Sequence, residues 1–87
     1  MHALVNGIQL AYEEHGSGPA VVLLHDLPYD RQMWQAQVEP LVGCGFRVVL
    51  PDLRGLGESG VGENGVSLAS YADDVMSLLN YLGIGRA

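Results

Sequence analysis

The sequence predicts an α/β fold: an N-terminal β-hairpin, then a βαβ unit, then a final helix, with four strands and two helices in all. Three observations carry this. An Asn-Gly pair at Asn6-Gly7 separates two apolar segments. Two short runs rich in β-branched residues, Ala20 to Leu24 and Phe46 to Leu50, flank a stretch with helical periodicity. A second amphipathic stretch follows Ser67.

The hairpin comes first. Asn and Gly both tolerate positive φ, so Asn-Gly between apolar segments is the strongest short-range hairpin signal. It places strands at about 2–6 and 8–15. In the second, Ile8, Leu10 and Tyr12 alternate with Gln9, Ala11 and Glu13, so one face is buried. Gly16-Ser17-Gly18-Pro19 then breaks the chain. Ala20 to Leu24 is continuously apolar, as a strand buried on both faces of a parallel sheet would be. A helix is expected over about 30–42. Asp30 can cap it, and Trp34, Val38 and Leu41 recur at helical spacing. Pro40 should kink it or start a new turn, and Gly43 and Gly45 end it. The strand at Phe46 to Leu50 then completes a right-handed crossover. The loop from Pro51 to Gly65 holds five glycines. Ser67 caps the last helix, whose stripe is Leu68, Tyr71, Ala72, Val75, Leu78, Leu79 and Leu82, with Gly83 after it.

Length and composition bound the function. The 87 residues suffice for one modest core and not for a complete large α/β domain or a barrel. By size scaling, such a chain exposes roughly 5,000 Å² folded against about 13,500 Å² unfolded, a burial of about 63%. The apolar content of 48% with 16% charge argues against disorder. Ten acidic residues face four arginines and no lysine, a formal charge of −6. Nucleic-acid phosphates and anionic membranes would repel such a chain, so neither is expected as a partner. No apolar run approaches a membrane span and the N-terminus carries no secretory pattern. Cys44 is the single cysteine, which excludes an intrachain disulfide and fits a cytoplasmic location.

The motifs narrow the chemistry. Gly55-Leu56-Gly57-Glu58-Ser59-Gly60 is formally G-x-G-x-x-G, but four residues separate it from the strand and no helix begins at Gly60. A dinucleotide site needs both, so no cofactor is expected. Neither Ser17 nor Ser59 lies in a G-x-S-x-G elbow. His2 and His15 read as surface residues. His25 closes a buried strand at its C-terminal end, where open α/β sheets bind ligands. With no nucleophile beside it, a structural role is the better reading. Glu13 and Glu14 point to opposite faces of a strand. Asp73 and Asp74 lie off the last helix's apolar stripe and read as a solvated face. No metal site is expected.

The strings His25-Asp26-Leu27-Pro28, Trp34 and Phe46-Arg47-Val48-Val49-Leu50-Pro51-Asp52-Leu53-Arg54-Gly55-Leu56-Gly57-Glu58-Ser59 together resemble the N-terminal part of an α/β-hydrolase-fold protein. The subgroup it looks like includes cofactor-free esterases, lactonases, haloperoxidase-like enzymes and proline iminopeptidases. The resemblance covers essentially the whole chain, and every fixed position of Asp-x-Arg-Gly-x-Gly-x-Ser is matched from Asp52 to Ser59. It implies that the backbone N–H of Leu27 donates to an oxyanion and that His25 braces the loop. Asp52, Arg54, Gly55, Gly57 and Ser59 would shape the loop beside the active site without doing chemistry. Asp26 stands where the family has glycine. Aspartate tolerates left-handed backbone, so the turn is expected to survive, but its carboxylate opposes an oxyanion. Tyr29 and Met33 are candidates for one wall, while Trp34 reads as core.

The resemblance also implies that nucleophile, acid and histidine all follow the last helix, and that Gly83 to Ala87 leads toward the nucleophile strand. On this reading the chain is a truncated N-terminal segment, inactive alone, whose strand at 20–25 exposes an apolar edge. Two functions remain open. One is the front part of a serine-type hydrolase completed by a second segment or chain. The other is a non-catalytic α/β module that self-associates, most simply as a homodimer, through the 20–25 edge.

Overall fold

The computed structural model describes residues 1–26, 29–61 and 66–87. Strand β1 (His2–Val5) pairs antiparallel with β2 (Ile8–His15), in the register His2 to Ala11 and Val5 to Ile8. Asn6 at φ 48° and Gly7 at φ 79° make the turn between them, both with the positive φ that a two-residue hairpin turn demands. The second half of β2 turns to a new partner, β4 (Arg47–Pro51), from Tyr12 opposite Pro51 to His15 opposite Val48. Strand β3 (Ala20–Val22) runs parallel to β4, with Val22 beside Val49. The described sheet is thus four-stranded in the order β1-β2-β4-β3, with β3 at an edge. Beyond Val22 one more bond continues the ladder, from Leu23 N–H to the Val49 carbonyl at 3.0 Å.

The helix expected at 30–42 forms in two steps. Asp30 caps a 3₁₀ turn, Arg31–Trp34, by accepting the Gln32 N–H at 2.9 Å. Helix α1 (Gln35–Gly43) follows and continues through Pro40 as one helix, so the new turn expected there does not form. The Cys44 N–H takes the carbonyls of Pro40 and Leu41, both at 3.1 Å, which closes the helix end. Helix α2 (Leu68–Tyr81) starts at Ser67, whose hydroxyl accepts the Ser70 N–H while the Ser70 hydroxyl accepts the Ser67 N–H.

The helices cover opposite faces. Alternation along β4 sends Val49 toward α2 and Val48 and Leu50 toward α1. On the α2 face Leu10, Tyr12, Val49, Leu78 and Ile84 form one cluster; on the α1 face Val38, Val48 and Leu50 form another, with Trp34, Leu41 and Phe46 against it. Both faces of β4 are therefore closed, and its C-terminal end carries Asp52 and the loop beyond.

The stripe on α2 is only partly used. Leu78 is fully buried, but Leu68 and Ala72 are exposed, because the first turns of α2 extend past the sheet. Asp74, expected on a solvated face, is 1% exposed. That expectation fails because a partner twenty residues earlier meets its carboxylate inside the fold. Among the described residues no helix is long and apolar enough to cross a membrane.

Candidate functional site

The ends of β3 and β4 meet at one place, and three loops converge there. Asp52 directly follows β4, with its side chain wholly buried. A buried carboxylate must be met by donors. One oxygen accepts the Arg31 backbone N–H at 2.8 Å and the other accepts the Glu58 backbone N–H at 3.0 Å. The Arg31 guanidinium pairs with the same carboxylate. Asp52 thus holds the start of the 3₁₀ turn on one side and the glycine-rich loop on the other.

That loop is stitched to the hairpin. The Ser59 hydroxyl donates to the Asp52 carbonyl at 2.6 Å and accepts the Ala11 N–H at 2.8 Å. Gly55 N–H reaches the Gly60 carbonyl, and Gly60 N–H reaches that of Gln9, both at 2.9 Å. Gly57 has φ 53°, and a Cβ there would lie 2.3 Å from an Asp52 carboxylate oxygen. Glycine is required for close approach to the carboxylate as well as for its backbone angle.

Arg54 turns to the other face. Its guanidinium meets Asp74 in two parallel bonds, Nε to Oδ2 at 2.8 Å and Nη2 to Oδ1 at 2.7 Å. The Asn6 amide donates to the same Asp74 oxygen at 2.8 Å. The bonds from Asp74 hold the guanidinium protonated, raising its already high pKa. The pair ties the post-β4 loop and the hairpin turn to α2.

His25 lies just beyond β3 and is buried. Its Nε2 accepts the Leu53 N–H at 2.9 Å, so Nε2 keeps its lone pair. Its Nδ1 lies 2.9 Å from the Asp26 carbonyl and must be the protonated nitrogen. With both nitrogens engaged, the ring braces the loop and has no lone pair to offer as a base. Asp26 also accepts the Tyr29 N–H at 2.9 Å through the same carbonyl. Its carboxylate is exposed and has no hydrogen-bond partner among the described residues. Positive φ among the described non-glycine residues occurs at Asn6 alone, so Asp26 does not adopt the left-handed backbone that its glycine-like position suggested. Leu27, the expected oxyanion donor, lies outside the described residues, as does Pro28.

A cavity of about 540 Å³ opens beside this loop. Its walls include Leu24, His25, Asp26, Leu53, Leu68 and Met76. It lies at the C-terminal ends of the parallel strands, the usual ligand position in open α/β sheets. Tyr29 and Met33, expected as wall residues, are exposed and do not line it. Trp34 packs in the α1-side cluster as expected of a core residue. Its indole N–H has no partner among the described residues.

Two residues take part in ways that the sequence did not indicate. Arg31 is 14% exposed in its side chain and meets three carboxylates, with Glu13 at 2.7 Å, Glu58 at 2.6 Å, and Asp52. His15 and Arg31 lower the Glu13 carboxyl to about 2. Arg31 similarly lowers that of Glu58. Asp74 is the second. The signal for both was the scarcity of cations: with four arginines against ten acids, a buried guanidinium has a carboxylate within reach almost anywhere. Among the described residues no cluster of His, Cys, Asp or Glu is arranged to hold a metal ion.

A mixed sheet with this strand order, a buried Asp at the end of β4, a glycine loop folded around it and an apolar cavity beside the end of β3 define a hydrolase-type α/β sheet. The alpha/beta hydrolase fold family matches residues 19–87, and the chain belongs to that family. It is 40% identical over 84 residues to a soluble epoxide hydrolase of a Corynebacterium species, covering 97% of this chain and 29% of that protein. An esterase from Thermogutta terrifontis superposes with a TM-score of 0.84 at 42% identity, over 95% of this chain and 32% of the esterase. The enol-lactonase of Burkholderia xenovorans superposes with a TM-score of 0.93 at 35% identity, over 100% of this chain and 35% of the lactonase. The chain spans about a third or less of the length of each of these relatives.

Proposed function

We propose that this chain is the N-terminal part of a cofactor-free, serine-type α/β hydrolase acting on ester, lactone or amide bonds. It supplies one oxyanion-hole donor, the Leu27 backbone N–H, and no triad member, and it is inactive alone. Nucleophile, acid and histidine come from a further segment, continuous or separate, that docks along the free edge of β3. The observation that supports this best is the apolar cavity bounded by Leu24, Asp26 and α2, next to the edge that β3 forms in the described sheet and to the braced His25.

In this reading a hydroxyl from the second segment gives its proton to that segment's histidine and attacks a carbonyl seated in the cavity, forming a C–O bond as the C=O π bond opens onto oxygen. Negative charge grows on the carbonyl oxygen, and the Leu27 N–H donates to it. Such a donor is worth about 10²–10³ in rate. Asp26 lines the same cavity, and its negative charge there opposes the charge on the oxyanion and slows the step.

The test is complementation. The chain alone should turn over neither p-nitrophenyl acetate nor styrene oxide, the latter included because epoxide and ester hydrolases match the chain about equally. Mixed with the C-terminal two-thirds of an esterase relative, it should hydrolyse the ester. Turnover by the isolated chain defeats the reading, and silence from a folded complex favours the self-associating module. In the active complex Asp26→Gly should raise kcat on a neutral ester several-fold; a fall would give Asp26 a positive role.

A further inference from the structure

The segment that leaves β3 and enters the 3₁₀ turn is held at both ends by one dipeptide. At its start, His25 Nε2 accepts the N–H of Leu53 at 2.9 Å. At its end, the Arg31 N–H donates to the carboxylate of Asp52 at 2.8 Å. His25 and Arg31 are therefore anchored to two residues that are neighbours in the chain, Leu53 and Asp52, at the C-terminal end of β4. The His25 anchor is a single neutral bond. The Arg31 anchor is built more heavily: three guanidinium nitrogens reach Glu13 on β2, Asp52 just after β4 and Glu58 on the glycine loop. Each acceptor sits on a different segment, so the guanidinium plane fixes the turn against all three.

We propose that Arg31 is the positioning residue for Tyr29, Asp30 and the 3₁₀ turn they lead into, setting where the chain that enters this turn sits relative to the end of β4. That the preceding loop carries an oxyanion donor rests on the hydrolase reading above; that Arg31 positions the turn rests on the contacts alone. The arrangement needs arginine. Three acceptors lying in three directions match a planar fork with Nε, Nη1 and Nη2 donors, whereas a lysine ammonium is a single point on a flexible stem. Loss of the guanidinium also leaves the buried Asp52 carboxylate without the cation that pairs with it among the described residues. The turn should then shift away from β4 and carry Tyr29 and Asp30 with it.

Amide exchange of the full chain reads this without any activity. In Arg31→Gln, exchange at Tyr29 N–H, which bonds to the Asp26 carbonyl, should accelerate at least ten-fold. Exchange at Leu82 N–H, bonded to Leu78 on the far face, should stay within about two-fold. Arg31→Lys should remain as fast as Arg31→Gln at Tyr29, since charge without the fork does not restore three contacts. Unchanged Tyr29 exchange in Arg31→Gln, or full rescue by lysine, overturns the proposal. If Arg31→Gln does not fold, Glu58→Gln removes one arm at the exposed side; it should speed Tyr29 exchange measurably without affecting Leu82, and no change there overturns the proposal equally. In the complemented enzyme the same lesion should lower kcat about 10–100-fold with KM within two-fold, because displacement of a reacting group by about 1 Å costs on the order of 10² in rate. An inactive wild-type complex would refute the hydrolase reading and leave the exchange result to judge Arg31.

Discussion

At the residue scale, Gly57 and Asp52 define each other. The loop passes so close to the Asp52 carboxylate that any side chain at 57 meets it, and the backbone there has φ 53°. Gly57→Ala should destabilise the chain by about 2–3 kcal/mol, combining overpacking with a left-handed backbone. Urea titration would check this, and an unchanged midpoint would contradict the close approach. Glu13 gives a pH dependence. Its folded carboxyl is lowered from 4.5 to about 2, by His15 first and Arg31 next. A group depressed in the folded state contributes stability above its unfolded pKa and loses it as pH falls through the folded one. Stability should therefore decline between about pH 4.5 and 2, and Glu13→Gln should flatten that part of the curve. An unaltered acid limb in the variant would count against the Glu13 contacts.

Among the elements, α2 has two functions along one helix. Its middle and C-terminal turns bury Leu78 against β1 and β2, with Asp74 fixed by Arg54 and Asn6. Its first turns carry Leu68 and Ala72 out over the cavity. Leu78→Ala should therefore cost about 2–5 kcal/mol in stability, as large-to-small changes at filled sites do. Leu68→Ala, at a side chain 85% exposed, should cost nothing measurable in stability. Thermal melts of the two variants would separate the structural half of the helix from the cavity half. Equal losses would show that the apparent division is wrong.

On the scale of the whole molecule, the described sheet has two edges of different character. β1 is a short edge strand at one end, while β3 ends the described sheet beside an apolar cavity. An apolar strand edge without charge or proline is a template for pairing with another segment. We predict that the chain associates in solution and that Leu24→Asp, at a half-exposed position on the cavity rim, prevents it. Static light scattering that finds equal mass for both chains would sink this prediction. Association with a copy of itself and docking of a complementing segment would compete for the same edge.

Much of this was present in the sequence because the signals are local. Asn6-Gly7 fixes a turn by the φ that two residues tolerate, and Ser67 caps a helix with a residue three positions away. The apolar run at 46–50 marks the buried strand β4 without reference to anything distant, whereas the run at 20–24 yields only a three-residue, half-buried edge strand, Ala20–Val22, with Leu24 exposed beyond it. The spacing from Asp52 to Ser59 marked the loop whose members later meet. Other features depend on contacts between segments far apart in the chain, and no local rule reaches them. Asp74 is solvated by every pattern on its own helix, yet it is buried because Arg54 arrives from another loop. Arg31 is one polar residue in a helix start until folding brings Glu13, Asp52 and Glu58 around it. The sequence by itself determined the elements and their order, since periodicity and turn chemistry act over a few residues, while its motifs from Asp52 to Ser59 carried the resemblance to the fold family. Only the tertiary structure decided which charges are buried, which side of α2 is used and what anchors the loop after β3, because the energy of a buried charge depends on its partner's position in space.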